Sequence, residues 1–170
     1  AALPPTHPAM QRFTKVPDLP EVRQRAAELT RGRSTQYDRV MAIFGFFSPA
    51  NGFRYDKFTR QGNSGSAMVN FITTGRTGYC EQYAAAMAWL VRAAGIPARV
   101  AFGFTRGDKR TGNTYTVSNL NLHAWTEVYF EGYGWVWFDA TPPAAVTGAV
   151  HPEWAPASAP APDEGAVAQP

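Results

Sequence analysis

The chain holds a single cysteine, Cys80, in 170 residues, so it can form no internal disulfide. No apolar run approaches the roughly 18 to 20 residues of a membrane-spanning helix, and no basic segment followed by an apolar one opens the chain. Its positive charges, among them Arg23, Arg25, Arg31, Arg33, Lys57, Arg60, Arg92, Arg99, Lys109 and Arg110, are scattered rather than gathered into a stripe. They match no nucleic-acid-binding module, and nucleic acid is not an expected partner. No His or Cys pair stands at zinc-ligand spacing, no Asp-rich calcium loop occurs, and no glycine-rich phosphate cradle follows a strand. No cofactor and no metal are therefore expected.

What is present is apolar: 45% of residues are hydrophobic and 14% aromatic, enough to bury one sizeable core. The composition divides the chain into an N-terminal tail, residues 1–14, a domain, residues 15–142, and an Ala/Pro-rich linker or tail, residues 143–170. In that last segment 15 of 28 residues are Ala or Pro, a composition with little to bury, apart from Trp154, which could pin it to the domain. The net charge is +3, and because residues 143–170 contain three acids and no Lys or Arg, the remainder carries +6. A balance of that sign suits an anionic neighbourhood such as a cell wall or membrane surface. The chain begins Ala1-Ala2-Leu3-Pro4-Pro5 without a methionine. It is read as a fragment of something longer or a processed form, with any targeting or membrane segment in the part not given.

Periodicity gives the elements. Asp18-Leu19-Pro20 introduces a helix over about 21–31, with Val22, Ala26 and Leu29 on one face and Gly32 after it. A second helix begins after Ser34 or Thr35, with Tyr37, Val40, Met41 and Phe44 facing inward. Residues 53–55 read as a short extended piece, residues 61–66 as a loop, and Val69, Phe71 and Ile72 as part of a short helix leading to the cysteine. From Cys80 to Ala94 the set Tyr83, Met87, Leu90, Val91 and Ala94 has helical spacing. Gly95-Ile96-Pro97 closes it as a Schellman turn in which Ile96 meets Val91. The period then changes: residues 99–104 form a strand, 107–114 a polar turn, 115–117 a second strand, and 123–130 with 135–139 a hairpin. Helices first and an antiparallel sheet after them make an α+β fold.

Cys80, His123 and Asp139 follow one another in an order that can build a thiol nucleophile, a base and an orienter. A thiol attacks as its thiolate, and a cysteine in the first turn of a helix meets unpaired amides and the positive dipole end. His123, at the head of a strand, can supply an imidazolium and later protonate the leaving group, while Asp139 holds the other ring nitrogen. Taken singly each has a blander reading: Cys80 a small hydrophobe, His123 a structural histidine, Asp139 a cap for the turn before Pro142. Glu81 and Gln82 suit a helix start whatever the function, and Trp125, Trp135 and Trp137 read as core or cleft wall. Asn119 and Asn121 read as turn residues or cleft donors, and His7 and His151 as solvated. With Phe130 placed opposite Trp135, Asp139 falls across from Thr126, three residues from His123, so contact between the two requires a bulge or a shorter loop.

The segments Gly78-Tyr79-Cys80-Glu81-Gln82-Tyr83-Ala84, His123-Ala124-Trp125-Thr126-Glu127-Val128-Tyr129 and Gly134-Trp135-Val136-Trp137-Phe138-Asp139-Ala140-Thr141-Pro142 resemble the three signature segments of the transglutaminase-like superfamily, relatives of papain-type cysteine peptidases. The likeness spans about 15–145 and extends to the passage from Arg92 to Val100. It is nearest to bacterial domains displayed outside the membrane by multi-pass membrane proteins. One departure stands out: the family usually has Asp-Pro-Thr where this chain has Asp139-Ala140-Thr141. The resemblance implies a papain-like core with Cys80, His123 and Asp139 as catalytic residues, and cysteine-dependent acyl transfer on peptide or protein amides through a thioester. Hydrolysis is narrowly favoured over transfer to an amine. The contrasting expectation is a non-catalytic peptide- or glycan-binding module on the same fold. It also implies an extracytoplasmic location on a membrane-anchored bacterial parent, with wall or envelope peptides as substrates.

Overall fold

A computed structural model describes residues 4, 6–59, 62, 64–107, 109–142 and 146. The Ala/Pro-rich linker assigned to 143–170, with Trp154 and His151, lies outside the described residues except for Val146. Within the segment read as an N-terminal tail, His7 caps a one-turn helix, α1 (Pro8–Gln11), whose Met10 is buried. The Phe13 carbonyl accepts from Ala98 N at 3.0 Å, and the Phe13 ring meets Trp135 edge-on.

Helix α2 (Pro20–Thr30) starts with proline at its first position, where the missing N–H costs nothing, and buries Val22 and Ala26. Thr35 caps α3 (Gln36–Phe46) by accepting from Asp38 N. The inward face of α3 includes Val40, Met41 and Phe44 as expected, but not Tyr37. Val40, Ile43 and Phe46 are buried, while Tyr37 is 48% exposed, because the helix is rotated to bring Phe46 and Phe47 into an aromatic cluster with Phe53, Phe71 and Tyr83.

The extended piece expected near residue 54 is β1 (Arg54–Tyr55), paired in parallel with β2 (Thr77–Gly78). Between them the loop expected over 61–66 ends early. Ser64 caps α4 (Gly65–Asn70) by accepting from Ala67 N, which draws Gly65 and Ser66 into the helix, and a wider π turn over Phe71–Gly75 follows. Helix α5 (Cys80–Ala93) is buried along most of its length, against α2 and α3 on one side and the sheet on the other. It closes as the sequence predicts: Gly95 has φ of 78°, Ile96 N donates to Val91 O at 3.1 Å, and Gly95 N donates to Arg92 O at 2.9 Å.

Strand β3 (Ala98–Phe104) pairs antiparallel with β6 (Leu122–Phe130), and β6 with β7 (Gly134–Phe138), in the order β3-β6-β7. The polar turn expected over 107–114 contains a strand of its own. There β4 (Lys109–Thr111) and β5 (Thr114–Thr116) form a separate two-stranded arm, because the reversal falls at Gly112, where φ is 60°. Helices packed on an antiparallel sheet confirm the α+β class.

Candidate active site

Each of the three predicted residues is placed by a different element. Cys80 is the first residue of α5 and is partly exposed. The helix start is held by Gln82, whose Oε1 accepts from Tyr79 N at 3.1 Å, the reciprocal half of a capping box. Gly78 allows this: a Cβ there would stand 2.3 Å from Gln82 Oε1 and 2.9 Å from the Phe71 ring. The fourteen-residue helix thus begins at the sulfur's own residue, with its positive dipole end beside it.

His123 is buried on β6, opposite Gly103, and shares a sheet face with Trp125, whose ring lies 6.5 Å away. A Cβ at residue 103 would meet the Trp125 ring at 2.6 Å, so glycine leaves room for the indole to lie beside the imidazole. Asp139 follows β7 directly. The hairpin register is one residue off the expected one, with Phe130 opposite Gly134 and Thr126 opposite Phe138. Two glycines cause it. Gly132, with φ of 82°, sits third in the tight turn closed by Tyr133 N to Phe130 O at 3.1 Å, and Gly134, with φ of 83°, lets β7 start at once.

A shift of one residue turns every side chain of a strand to the other face. Asp139 therefore falls in line with Trp125 and shares the face of His123, where the expected register would have turned it away. His123 Nε2 and Asp139 Oδ2 are 2.7 Å apart, and Asp139 Oδ1 accepts from Thr141 N at 3.0 Å. Both carboxylate oxygens are thus engaged, and the change from Pro to Ala140 leaves this exit intact.

Burial is the largest influence on His123 and favours its neutral form. Hydrogen bonds to Asp139 and Cys80, together with their charge, outweigh it and raise the pKa to about 9. With Nε2 committed to Asp139, Nδ1 is the ring nitrogen left for Cys80. His123 is consequently an imidazolium at neutral pH, flanked by the thiol and the carboxylate.

The sequence reading missed Tyr55. Register places it beside Gly78, two residues before the nucleophile, and its hydroxyl hydrogen-bonds with Cys80. Burial, then the negative charge available on Cys80, push the Tyr55 pKa up to about 12. A two-residue strand carries no periodicity, so only the pairing with β2 reveals the position. Of the other candidates, Asn121 is a turn residue, its side chain accepting from Ser118 N and donating to Thr105 Oγ1. Trp135 packs on Phe13 and Tyr129 under the Arg99 guanidinium, away from the imidazole, while Trp137 meets Trp125 edge-on.

Among the described residues no group of three or more His, Cys, Asp or Glu could hold a metal ion, and no helix is long and apolar enough to cross a membrane. A cavity of about 470 Å³ lined by Tyr37, Phe130, Tyr133, Val136 and Phe138 contains none of the three residues.

The sequence profile of the transglutaminase-like superfamily matches residues 23–140. The uncharacterized protein YebA of Bacillus subtilis is 37% identical over 139 residues, 76% of this chain and 19% of its own length. A protein-glutamine gamma-glutamyltransferase of Pseudomonas aeruginosa is 42% identical over 73 residues, 42% of this chain and 11% of its own. The crystal structure of the periplasmic domain of TgpA from Pseudomonas aeruginosa bound to ethylmercury superposes with a TM-score of 0.70 at 31% identity, over 82% of this chain and 50% of that one. The chain thus spans less than a fifth of the two curated relatives and half of the solved domain.

Proposed function

The chain belongs to the transglutaminase-like superfamily, and on that premise we propose that it is a thiol acyltransferase acting on carboxamides of peptides or proteins, with Cys80, His123 and Asp139 as its catalytic residues. The observation that carries the reading is the imidazole of His123, held at 2.7 Å by Asp139 and hydrogen-bonded to Cys80 at a helix N-terminus. Cys80 attacks the carboxamide carbon as a thiolate, beside the helix end and the imidazolium. As the tetrahedral intermediate collapses, the C–N bond breaks and His123 gives its proton to the departing ammonia, leaving a thioester and a neutral imidazole. Neutral His123 then takes a proton from the second nucleophile. Water yields a carboxylic acid, an amine yields a new amide, and the thiol is regenerated in either case. Asp139 keeps the ring oriented and balances its charge throughout.

Likeness to a protein-glutamine gamma-glutamyltransferase supports a glutamine side chain as the acyl donor. Hydrolysis is the default fate of the thioester. Transfer needs a walled acceptor channel that excludes water. Of the four aromatic residues that could wall one, Trp135 is packed on Phe13 and Tyr133 is 87% exposed at the hairpin turn, leaving Trp125 and Trp137. Likeness to a periplasmic domain and the +6 body support an extracytoplasmic place on a membrane-anchored parent, facing wall or envelope peptides.

The test is product partitioning. A glutamine-containing peptide is incubated with the protein and rising primary amine, and acid and amide are quantified, with Cys80→Ala as control. Acid should dominate at low amine, and Cys80→Ala should give neither product. Activity retained in Cys80→Ala would remove the mechanism, and mainly amide at millimolar amine would make transfer the principal reaction.

A further inference from the structure

Thioester formation places a negative oxygen on the carbon bonded to Cys80 Sγ, and that oxygen needs two donors fixed in advance. The Cys80 backbone amide at the start of α5, which in the resting state meets the Tyr55 hydroxyl oxygen, is one. The second has to lie within reach of the sulfur, face the cleft and be uncommitted to structure. Three other candidate donors are buried. Gln82 is buried and tied by Oε1 to Tyr79 N, and Asn121 is buried and bonded to Ser118 and Thr105. The Trp137 indole nitrogen is shut off from solvent, so an incoming acyl group cannot touch it without rearrangement.

We propose that the hydroxyl of Tyr55 is the second oxyanion donor, a catalytic residue for the reaction inferred above and dependent on that reading. Its placement rests on backbone pairing: Arg54 N donates to Arg76 O and Asp56 N to Gly78 O, both at 2.8 Å, bracketing Tyr55 opposite Gly78. The ring packs 6.4 Å from that of Tyr83, one turn along α5 from the nucleophile, so the hydroxyl is carried on a supported ring, half-buried and not loose. In the resting state it hydrogen-bonds with both the side chain and the backbone amide of Cys80, so the two donors already converge beside the sulfur. When the sulfur becomes a thioether and loses its charge, the adjacent oxygen acquires it, and a small movement hands the O–H from one to the other. Burial keeps the phenol protonated well beyond the range in which His123 works, so the donor does not titrate away.

Two reagents separate this role from mere support of the thiolate. Acylation of Cys80 by 4-nitrophenyl acetate passes through a tetrahedral oxyanion; alkylation by iodoacetamide does not. Tyr55→Phe keeps the ring and removes only the donor. The expected result is acylation slowed by about 10²- to 10³-fold, with alkylation within about twofold of the wild type and an unchanged melting temperature. A peptide aldehyde, whose hemithioacetal carries the same oxygen, should lose affinity by a comparable factor, and this reads the role at equilibrium if kinetics of the variant are complicated by folding. Acylation and alkylation both unchanged, or both slowed equally, overturns the proposal. If the wild-type acetyl group is not on Cys80, the catalytic reading falls together with it; normal wild-type acylation with an indifferent Tyr55→Phe removes only the role of Tyr55.

Discussion

Among the described residues Asp139 hydrogen-bonds with His123 and the Thr141 amide, so its effect on chemistry passes mainly through the ring. Asp139→Asn preserves shape but can donate to Nε2, which favours the wrong tautomer. Turnover should fall by about 10²- to 10⁴-fold with little change in KM, as steady-state kinetics would reveal. A rise in KM alone would make Asp139 a substrate-binding residue. The same contact sets a pH dependence of stability. His123 keeps its proton to about pH 9 in the fold but only to 6.5 when unfolded. A raised folded-state value stabilises while both states would hold or favour the proton: the contribution is complete below about 6.5 and gone above about 9. It amounts to at most about 3 kcal/mol. Urea unfolding of the wild type should therefore show stability declining from pH 6.5 to 9, and Asp139→Asn should flatten that decline.

At the scale of elements, the two ends of α5 are governed by glycines with different work to do. Gly95 has φ of 78° and open space where a Cβ would go, so Gly95→Ala carries only a backbone cost, about 1 kcal/mol, with activity retained. Gly78 has no positive φ; its constraint is the buried Gln82 amide and Phe71 ring. Gly78→Ala must displace one of them, at about 1–3 kcal/mol, and because Gln82 fixes the helix start, turnover should fall as well. Denaturation and kinetics on the two variants distinguish the roles. Equal loss of activity in both would mean that the start of α5 is not specially sensitive.

Across the whole molecule, the nucleophile and the base belong to different layers, and their meeting depends on how α5 sits on β6. Thr126, fully buried, donates through Oγ1 to Ala84 O at 2.8 Å, one turn from Cys80. Thr126→Val keeps the volume and removes the tie. It should cost about 1 kcal/mol and lower turnover by loosening the Cys80–His123 approach, with acylation of Cys80 slowed more than its alkylation. Unaltered acylation would show that packing alone seats the helix. In the aromatic cluster behind it the buried Tyr83 hydroxyl has no hydrogen-bond partner among the described residues.

How much of this was legible beforehand follows from the range of the forces involved. The α5 closure at Gly95-Ile96-Pro97, the α+β order and the candidate set Cys80, His123 and Asp139 are local: capping geometry, side-chain periodicity and residue chemistry act within a few positions and can be read along the chain. On α3 the stripe of Val40, Met41 and Phe44 follows from periodicity, whereas the burial of Ile43 and Phe46 and the exposure of Tyr37 are settled by the Phe47, Phe53, Phe71 and Tyr83 cluster, whose members are distant in sequence. The β4–β5 arm was read as a turn because three-residue strands have too few positions to show alternation. Tyr55 was invisible for the same reason. Most consequential is the hairpin register. Gly132 and Gly134 both stand in the sequence, but which of them ends the turn depends on the pairing the sheet adopts, and that single residue of register decides whether Asp139 shares the face of His123. Residue types and local elements were determined by the sequence alone; the junction of thiol, imidazole, carboxylate and phenol was decided by tertiary packing, because it joins four elements whose relative placement no local interaction specifies.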